Sequence, residues 1–145
     1  MSEYKPRAFI DTNILVYAFI SNEAEKQEIV FSALGKVDPI ISTQVIKEIS
    51  NVLLRKVKID VETLKIIIGE ICDTADIIDE SVDIVILALD VHEKYRLSFY
   101  DCLMVAASLI SRCDILLSED MQDGLIVKGY SKDEVKIVNP FKKNV

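Results

Sequence analysis

The sequence has 145 residues, half of them apolar, which is enough for one buried core and excludes a largely disordered chain. Its 24 acidic and 17 basic residues give a formal net charge of −7, which argues against broad, non-specific binding to nucleic acid and leaves room for a basic partner. No apolar run approaches the ~20 residues of a membrane span, and the polar first residues, MSEYKPR, contain no hydrophobic signal segment. We therefore expect a cytoplasmic protein that makes no use of a membrane.

The cysteine and histidine content limits the kinds of metal site. Cys72, Cys102 and Cys113 are widely spaced without any C-x-x-C pair, and His92 is the single histidine. This composition excludes a zinc site of the usual Cys/His type. We expect buried free thiols and a structural role for His92.

The first half of the chain begins with a short apolar strand that leads directly into a helix across Asp11. Ser42 or Thr43 is the expected N-cap of the last helix in this half, because a hydroxyl there accepts a free helical N–H. Its apolar residues recur at helical spacing. The elements predicted in chain order are the strand 7–10, the helices 12–20 and 22–35, the strand 37–41 and the helix 43–57.

The second half continues the alternation of helices with short apolar strands. Asp60 and Ser81 are the expected caps of its first two helices, and a turn is predicted at Asp123-Gly124 in the polar segment 119–129. The elements predicted in chain order are a helix from Asp60 to about residue 72, the strand 75–78, the helix 81–95, a loop over 96–100, the helix 101–112, and the strands 115–117 and 135–138.

This alternation predicts the fold class. Strands that are apolar at every position are typical of a parallel sheet whose two faces are both covered by helices. Since no internal repeat, low-complexity segment or linker interrupts the pattern, we expect a single domain over residues 1–145.

Four acidic residues occupy equivalent places in the alternation. Asp11 follows the first strand, Glu48 lies on the helix after the second, Asp101 opens the most apolar helix, and Asp120 follows the strand 115–117. The C-terminal ends of parallel strands with right-handed crossovers share one edge of the sheet. Each like-charge pair at ~4 Å costs about 4 kcal/mol at an effective dielectric constant of ~20, so four converging acids either take up protons or bind a cation. An all-oxygen set of ligands favours Mg²⁺ or Mn²⁺.

Each acid also has a simpler interpretation. Asp11 suits the N-cap of the helix that it precedes, and Ser98 with Asp101 matches a capping box. Glu48 has the position of a solvated helix residue, and Asp120 lies in a loop where acids are common. The basic segment 55–58 suits the C-terminal end of a helix, with contact to RNA phosphates as the alternative.

The motifs taken together resemble a known family. The pattern Phe9-Ile-Asp11-Thr-Asn13, then Ser42-Thr43 with Glu48, then Tyr100-Asp101 with Ala106-Ala107, then Ser118-Glu-Asp120 is similar to the PIN domain. Within that family it resembles the VapC-type toxins of toxin–antitoxin pairs. The resemblance implies a three-layer α/β/α fold with a central parallel sheet of about five strands, a metal-dependent ribonuclease, an antitoxin partner and a homodimer.

The resemblance also assigns residues. Carried over position by position, it implies that Asp11, Glu48, Asp101 and Asp120 are both the catalytic residues and the metal ligands. Asn13 and Ser118 match polar positions that family members place near the metal, and Asp123 is a candidate for a fifth, outer acid.

Three functional hypotheses follow. The first is an endoribonuclease that uses Mg²⁺ or Mn²⁺ to activate water for attack on an RNA phosphodiester. The second is a non-catalytic PIN-like module that binds protein or RNA. The third is a phosphatase that forms a phospho-aspartate at Asp11, although such enzymes use a second aspartate at the position where this chain has Asn13.

Overall fold

A six-stranded sheet forms the centre of the computed structural model, which describes residues 4–20, 22–131 and 133–142. Within these residues the strand order is β3-β2-β1-β4-β6-β5, and all neighbours are parallel except β5 and β6. The strands are β1 (Arg7–Ile10), β2 (Asp38–Ser42), β3 (Asp76–Ile78), β4 (Ile115–Leu117), β5 (Ile126–Lys128) and β6 (Glu134–Val138). The predicted central parallel sheet is therefore confirmed, and its five predicted strands are all present.

The sixth strand, β5, is a feature that the sequence did not predict. It has three residues, of which only Val127 is buried, and it lies at the edge of the sheet, where it pairs antiparallel with β6. Gly124, with a φ of +86°, lies just before it in a turn. Because a three-residue edge strand buries one side chain, it leaves almost no periodic hydrophobic signal.

The helices follow the predicted order. They are α1 (Thr12–Phe19), α2 (Ala24–Gly35), α3 (Thr43–Val52), α4 (Val61–Thr74), α5 (Val82–Tyr95) and α6 (Phe99–Ile110). A π-helical turn (Leu53–Val57) continues α3, so the predicted helix 43–57 contains a change of helical type at residue 53. The predicted loop 96–100 is wrong at its end, because α6 begins at Phe99.

Capping side chains define where four of these helices start. Ser42 accepts a hydrogen bond from the N–H of Val45 (3.4 Å), and Asp60 accepts one from Thr63 (3.2 Å). Ser81 and Ser98 do the same for the third residues of α5 and α6. The caps predicted at Asp60 and Ser81 are confirmed, and Ser42 rather than Thr43 is the cap of α3.

Helices cover both faces of the sheet. In β1 the successive residues Ala8, Phe9 and Ile10 are completely buried, and successive strand residues point to opposite faces. Helix α6 packs against β1, β4, β6 and α5, while α1 packs against α2 and α3. This is the predicted three-layer α/β/α arrangement, and strands spanning residues 7–138 in one sheet support the proposal of a single domain.

The structure bears on the expectations about buried cysteines and about membrane spans. Cys102 and Cys113 are buried free thiols, whose pKa values are raised by burial, to about 11 for Cys102. Cys72 is exposed on α4, so the expectation that all three thiols are buried is wrong for this residue. No helix in the described part of the chain is long and apolar enough to cross a membrane.

Candidate metal centre

The adjacent ends of β1 and β4 bring Asp11 and Ser118 together. Ile10 pairs with Leu117 in the parallel register, and the N–H of Asp11 donates to the carbonyl of Leu117 (3.0 Å). Ser118 Oγ then donates to Asp11 Oδ2 (2.8 Å), and the N–H of Thr12 donates to Asp11 Oδ1 (2.7 Å). Asp11 is thus the N-cap of α1, as its simpler interpretation proposed, and its carboxylate is fixed at the C-terminal edge of the sheet.

The environment of Asp11 disfavours its charged form. The residue is only 8% exposed, and burial is the largest cause that raises its pKa from 3.8 to about 6. Hydrogen bonds from Ser118 and Thr12 lower this pKa, whereas the negative charges of Asp101 and Glu48 raise it. Asp101 and Glu48 therefore lie within electrostatic range of Asp11, although they are 90 and 37 positions away from it in the chain.

Glu48 is held by two side chains. Thr12 Oγ1 donates to Glu48 Oε2 (2.6 Å), and Gln44 Nε2 donates to Glu48 Oε1 (3.0 Å). Glu48 is half-buried and is not the freely solvated residue of the alternative interpretation. The sequence analysis missed Thr12 and Gln44 as site residues. Gln44 lies one helical turn before Glu48, a spacing at which helical side chains meet.

Asp101 is the third residue of α6, where Ser98 Oγ accepts a hydrogen bond from its backbone N–H (3.2 Å). Half of the predicted capping box is thus present. Among the described residues, none donates a hydrogen bond to the half-buried Asp101 carboxylate. Its negative charge is therefore left to interact with Asp11 and with any cation at this edge.

Asp120 lies at the exposed rim of the site. The side-chain amide of the exposed Asn13 donates to Asp120 Oδ2, which joins two predicted site residues from α1 and from the loop after β4. Asp123 is placed differently: its Oδ1 accepts a hydrogen bond from the N–H of Asn139 (2.8 Å) after β6. This contact anchors Asp123 to the chain that follows β6, and its role as an outer acid stays a prediction.

Four other charged or titratable residues, Glu119, His92, Arg55 and Lys56, have no described contact with the four acids. Glu119 is bound by Tyr17 and Lys26. His92 is exposed at the end of α5, with Nδ1 2.6 Å from the carbonyl oxygen of Leu97, which agrees with the expected structural role. Arg55 and Lys56 are exposed on the π-helical turn.

The donor set has the chemistry that a hard cation requires. Across residues 4–20, 22–131 and 133–142, no lysine or arginine forms an ion pair with any of the four acids. Within those ranges, no three acidic, histidine or cysteine side chains converge closely enough to hold an ion by themselves. An ion held here would therefore bind through one or two of these carboxylates and complete its shell with water, which is the way Mg²⁺ usually binds to proteins.

Solved structures share this architecture. A toxin–antitoxin complex from Klebsiella pneumoniae matches with a TM-score of 0.67 at 22% identity, over 94% of this chain and 99% of that chain. FitAcB from Neisseria gonorrhoeae matches with a TM-score of 0.62 at 13% identity, over 92% and 98%. VapC20 from Mycobacterium tuberculosis, a sarcin-ricin loop cleaving toxin, matches with a TM-score of 0.60 at 16% identity, over 75% and 86%. At these identities the likeness establishes the fold.

The family assignment comes from the sequence itself. No curated protein matches the chain significantly. The sequence model of the PIN domain, however, matches residues 8–122, a span that begins in β1 and ends just after Asp120. This match covers most of the chain and includes all four acids, Asp11, Glu48, Asp101 and Asp120. The chain belongs to the PIN domain family.

Proposed function

We propose that this chain is a metal-dependent endoribonuclease that hydrolyses RNA phosphodiester bonds. The observation that carries the proposal is the buried Asp11 carboxylate, whose charge is opposed by burial and by Asp101 and Glu48. Since no described lysine or arginine pairs with these acids, a divalent cation is the counter-charge that the site lacks. Membership of the PIN family and the fold shared with an RNA-cleaving toxin support this choice of chemistry.

In this proposal the four acids Asp11, Glu48, Asp101 and Asp120 hold Mg²⁺ or Mn²⁺, directly or through water. A bound ion of this kind makes water more acidic and stabilises negative charge on a phosphodiester. The same four residues are therefore the proposed catalytic residues. The Asp101 carboxylate, which has no described hydrogen-bond donor, is the most available of them to a ligand or to a proton of the attacking water.

Neutral side chains orient these acids. Ser118 and the N–H of Thr12 each take one oxygen of Asp11, and Thr12 with Gln44 takes both oxygens of Glu48. Asn13 donates to Asp120. Each bond fixes a carboxylate but leaves it lone pairs for a cation or water, and we propose that Asn13 and Ser118 act in this supporting way. Asp123 is at most an outer acid, since its contact is with the backbone of Asn139.

We further propose that the chain is the toxin of a toxin–antitoxin pair. Two of the structures with the same fold are the Klebsiella toxin–antitoxin complex and a VapBC complex from Rickettsia felis bound to promoter DNA (TM-score 0.59). A net charge of −7 favours a partner that is basic where it makes contact. An antitoxin protein is thus the proposed partner, and RNA is the proposed substrate.

A homodimer is the oligomeric state that we propose. Val82, Ile86 and Leu89 form a stripe along α5 and are 73%, 52% and 53% exposed. Their spacing of four and three residues places them on one helical face, opposite the buried Ile84 and Val91. An outward apolar stripe of this kind is typical of a surface that associates.

The direct test is incubation with a mixed RNA pool, with and without Mn²⁺ and with excess chelator, followed by mapping of new 5′ ends. We expect new ends at defined positions only when Mn²⁺ is free. RNA that stays intact under all conditions, with a protein that is folded by circular dichroism, would overturn the nuclease proposal in favour of a binding module.

The matched control for that test is the variant Asp101→Asn, purified in the same way. It removes one negative charge without changing the size of the side chain or the Ser98 cap, which uses the Asp101 backbone N–H. We expect cleavage to fall by at least 100-fold, as is usual when an electrostatic catalytic group is lost, with an unchanged unfolding transition. Wild-type turnover in this variant would refute the role of Asp101.

A further inference from the structure

Glu119, the residue between Ser118 and Asp120, makes a set of contacts that have no role in the proposed reaction. Tyr17 Oη donates to Glu119 Oε1 (2.7 Å), and Lys26 Nζ donates to Glu119 Oε2 (3.0 Å) and to Tyr17 Oη (3.1 Å). We call these three residues, Tyr17 of α1, Lys26 of α2 and Glu119, the Glu119 triad. The triad connects two helices to the one residue that separates Ser118 from Asp120 in the chain.

The Glu119 triad is more than a solvated ion pair. The side chains of Lys26 and Glu119 are only 36% and 25% exposed, and the Lys26 ammonium lies 5.0 and 5.2 Å from the ring centres of Tyr17 and Phe141. The hydrogen bonds that Lys26 donates to Tyr17 and Glu119 raise the pKa of Lys26. Three hydrogen bonds and two aromatic rings therefore hold this ion pair in place.

The backbone of the same segment is held from the other side by the end of β6. The N–H of Ser118 donates to the carbonyl of Val138 (3.0 Å), and Asn139 Nδ2 donates to the carbonyl of Glu119 (3.2 Å). The exposed Asp120, in contrast, has Asn13 as its described side-chain partner. The anchoring of Glu119 therefore largely determines the backbone position of Asp120 and the direction of its side chain.

We propose that Lys26 is a positioning residue for the metal centre, acting through Glu119 to hold Ser118 and Asp120 where they meet Asp11 and Asn13. This inference rests on the proposed function of the site. Lys26 touches neither the four acids nor their direct donors, so its effect passes through one neighbouring residue. Partners that bond directly to metal ligands typically change metal affinity or activity by 10- to 100-fold when they are mutated, and for Lys26, which lies one residue further out, we expect the lower end of that range.

The test compares Lys26→Met with Lys65→Met in two measurements. Methionine keeps the length of the stem and removes the charge, and Lys65 forms a solvent-exposed lysine–glutamate pair with Glu62 on α4 (3.8 Å), far from the site in the chain. The first measurement is amide hydrogen exchange of residues 118–123 in metal-free protein. The second is the Mn²⁺ concentration for half-maximal RNA cleavage, together with KM for RNA.

For Lys26→Met we expect at least tenfold faster exchange at residues 118–123, a Mn²⁺ requirement raised about tenfold, and an unchanged KM. Lys65→Met should resemble the wild type in all three. Lys26→Arg should keep most of the wild-type exchange rate and Mn²⁺ requirement, because arginine keeps the charge and can lie over the same rings. In a Glu119→Gln background, Lys26→Met should add little.

Three results would overturn the inference. In the first, Lys26→Met has the same exchange rates and Mn²⁺ requirement as Lys65→Met. In the second, Lys26→Met lowers the melting temperature but changes neither of those quantities. In the third, Lys26→Met has its full effect even in the Glu119→Gln background. If the wild-type protein showed no Mn²⁺-dependent cleavage, that result would instead contradict the proposed function. The two failures are distinguishable because only the second appears in the unmodified chain.

Discussion

Asp11 carries out two tasks at once at the scale of a single residue. It caps α1 through the N–H of Thr12, and it places a carboxylate at the joined ends of β1 and β4. A cap needs only an acceptor, and Ser42, Ser81 and Ser98 fill that role with hydroxyl groups in this chain. The negative charge of Asp11 is thus unnecessary for capping, and burial makes it costly, which is why we propose that it serves to bind a cation.

The pH dependence of stability should reveal this cost. Because the folded state raises the pKa of Asp11 from 3.8 to about 6, the folded state binds a proton more tightly than the unfolded state, so stability falls as the pH rises from about 4 to about 6. In metal-free protein, Asp11→Asn should therefore raise the free energy of unfolding at pH 7.5 by up to about 3 kcal/mol. The gain should fade towards pH 4, as measured by urea unfolding.

Asp60→Asn is the control of opposite sign. The pKa of Asp60 is lowered, first by the hydrogen bond from the Thr63 side chain, so its contribution to stability is present above pH 4 and is lost as the pH falls through its folded pKa. An Asp11→Asn gain that stayed constant across the whole range would contradict the proposed desolvation of Asp11.

Helix α6 is the element on which the site depends most. Its residues 102–109 are all buried, it packs against three strands, and it carries Asp101 in its first turn. A helix buried on nearly every side cannot shift without disturbing the core. The Ser98 cap therefore determines where the chain enters this helix and, with it, the position of Asp101.

Removing this cap should have a moderate and specific effect. We expect Ser98→Ala to lower the free energy of unfolding by about 1 kcal/mol, because a helical N–H loses its acceptor. Urea unfolding measures the change, and Ser98→Asp, which restores an acceptor at a helix N-terminus, is the control. An alanine variant as stable as the wild type would show that Ser98 does not act as the cap.

Elements with a local cause were predictable, and those defined through space were not. The strands 7–10 and 115–117 and the caps Asp60 and Ser81 were predicted correctly, because runs of apolar residues and capping groups act on their neighbours in sequence. β5 was missed because it exists only by pairing with β6. Thr12 and Gln44 were missed as partners of Glu48 because a threonine or glutamine near a helix start is ordinary without its partner in view.

In the described part of the whole molecule, none of the four acids Asp11, Glu48, Asp101 and Asp120 forms an ion pair with a lysine or arginine. A divalent cation there should stabilise the fold. At 100 times its Kd, Mn²⁺ should add about 2.7 kcal/mol, which corresponds to about 5–10 °C in Tm for a chain of this size. Thermal unfolding with Mn²⁺ and then with chelator measures this shift, and Asp11→Asn is the matched variant that should respond least. A wild-type Tm that millimolar Mn²⁺ leaves unchanged would remove the metal centre from the proposal.

Association of two whole molecules should depend on the stripe along α5. Ile86→Lys places a charge in the middle of exposed apolar residues and outside the core, so we expect it to convert a dimer into a monomer in light scattering while the monomer stays folded. Lys94→Glu, a charge change on an exposed residue of the same helix, is the control. A wild-type chain that is monomeric at high concentration would refute the dimer.

The sequence alone determined the alternation of helices and apolar strands, the family, and the positions of the four acids relative to these elements. Each of these depends on short-range periodicity or on spacing along the chain. Tertiary structure alone decided which groups meet: Ser118 on Asp11, Thr12 and Gln44 on Glu48, Asn13 on Asp120, and Lys26 on Glu119. Most of these pairs join residues that are 36 to 107 positions apart. Their contacts depend on the parallel register and on side-chain direction, neither of which local sequence specifies.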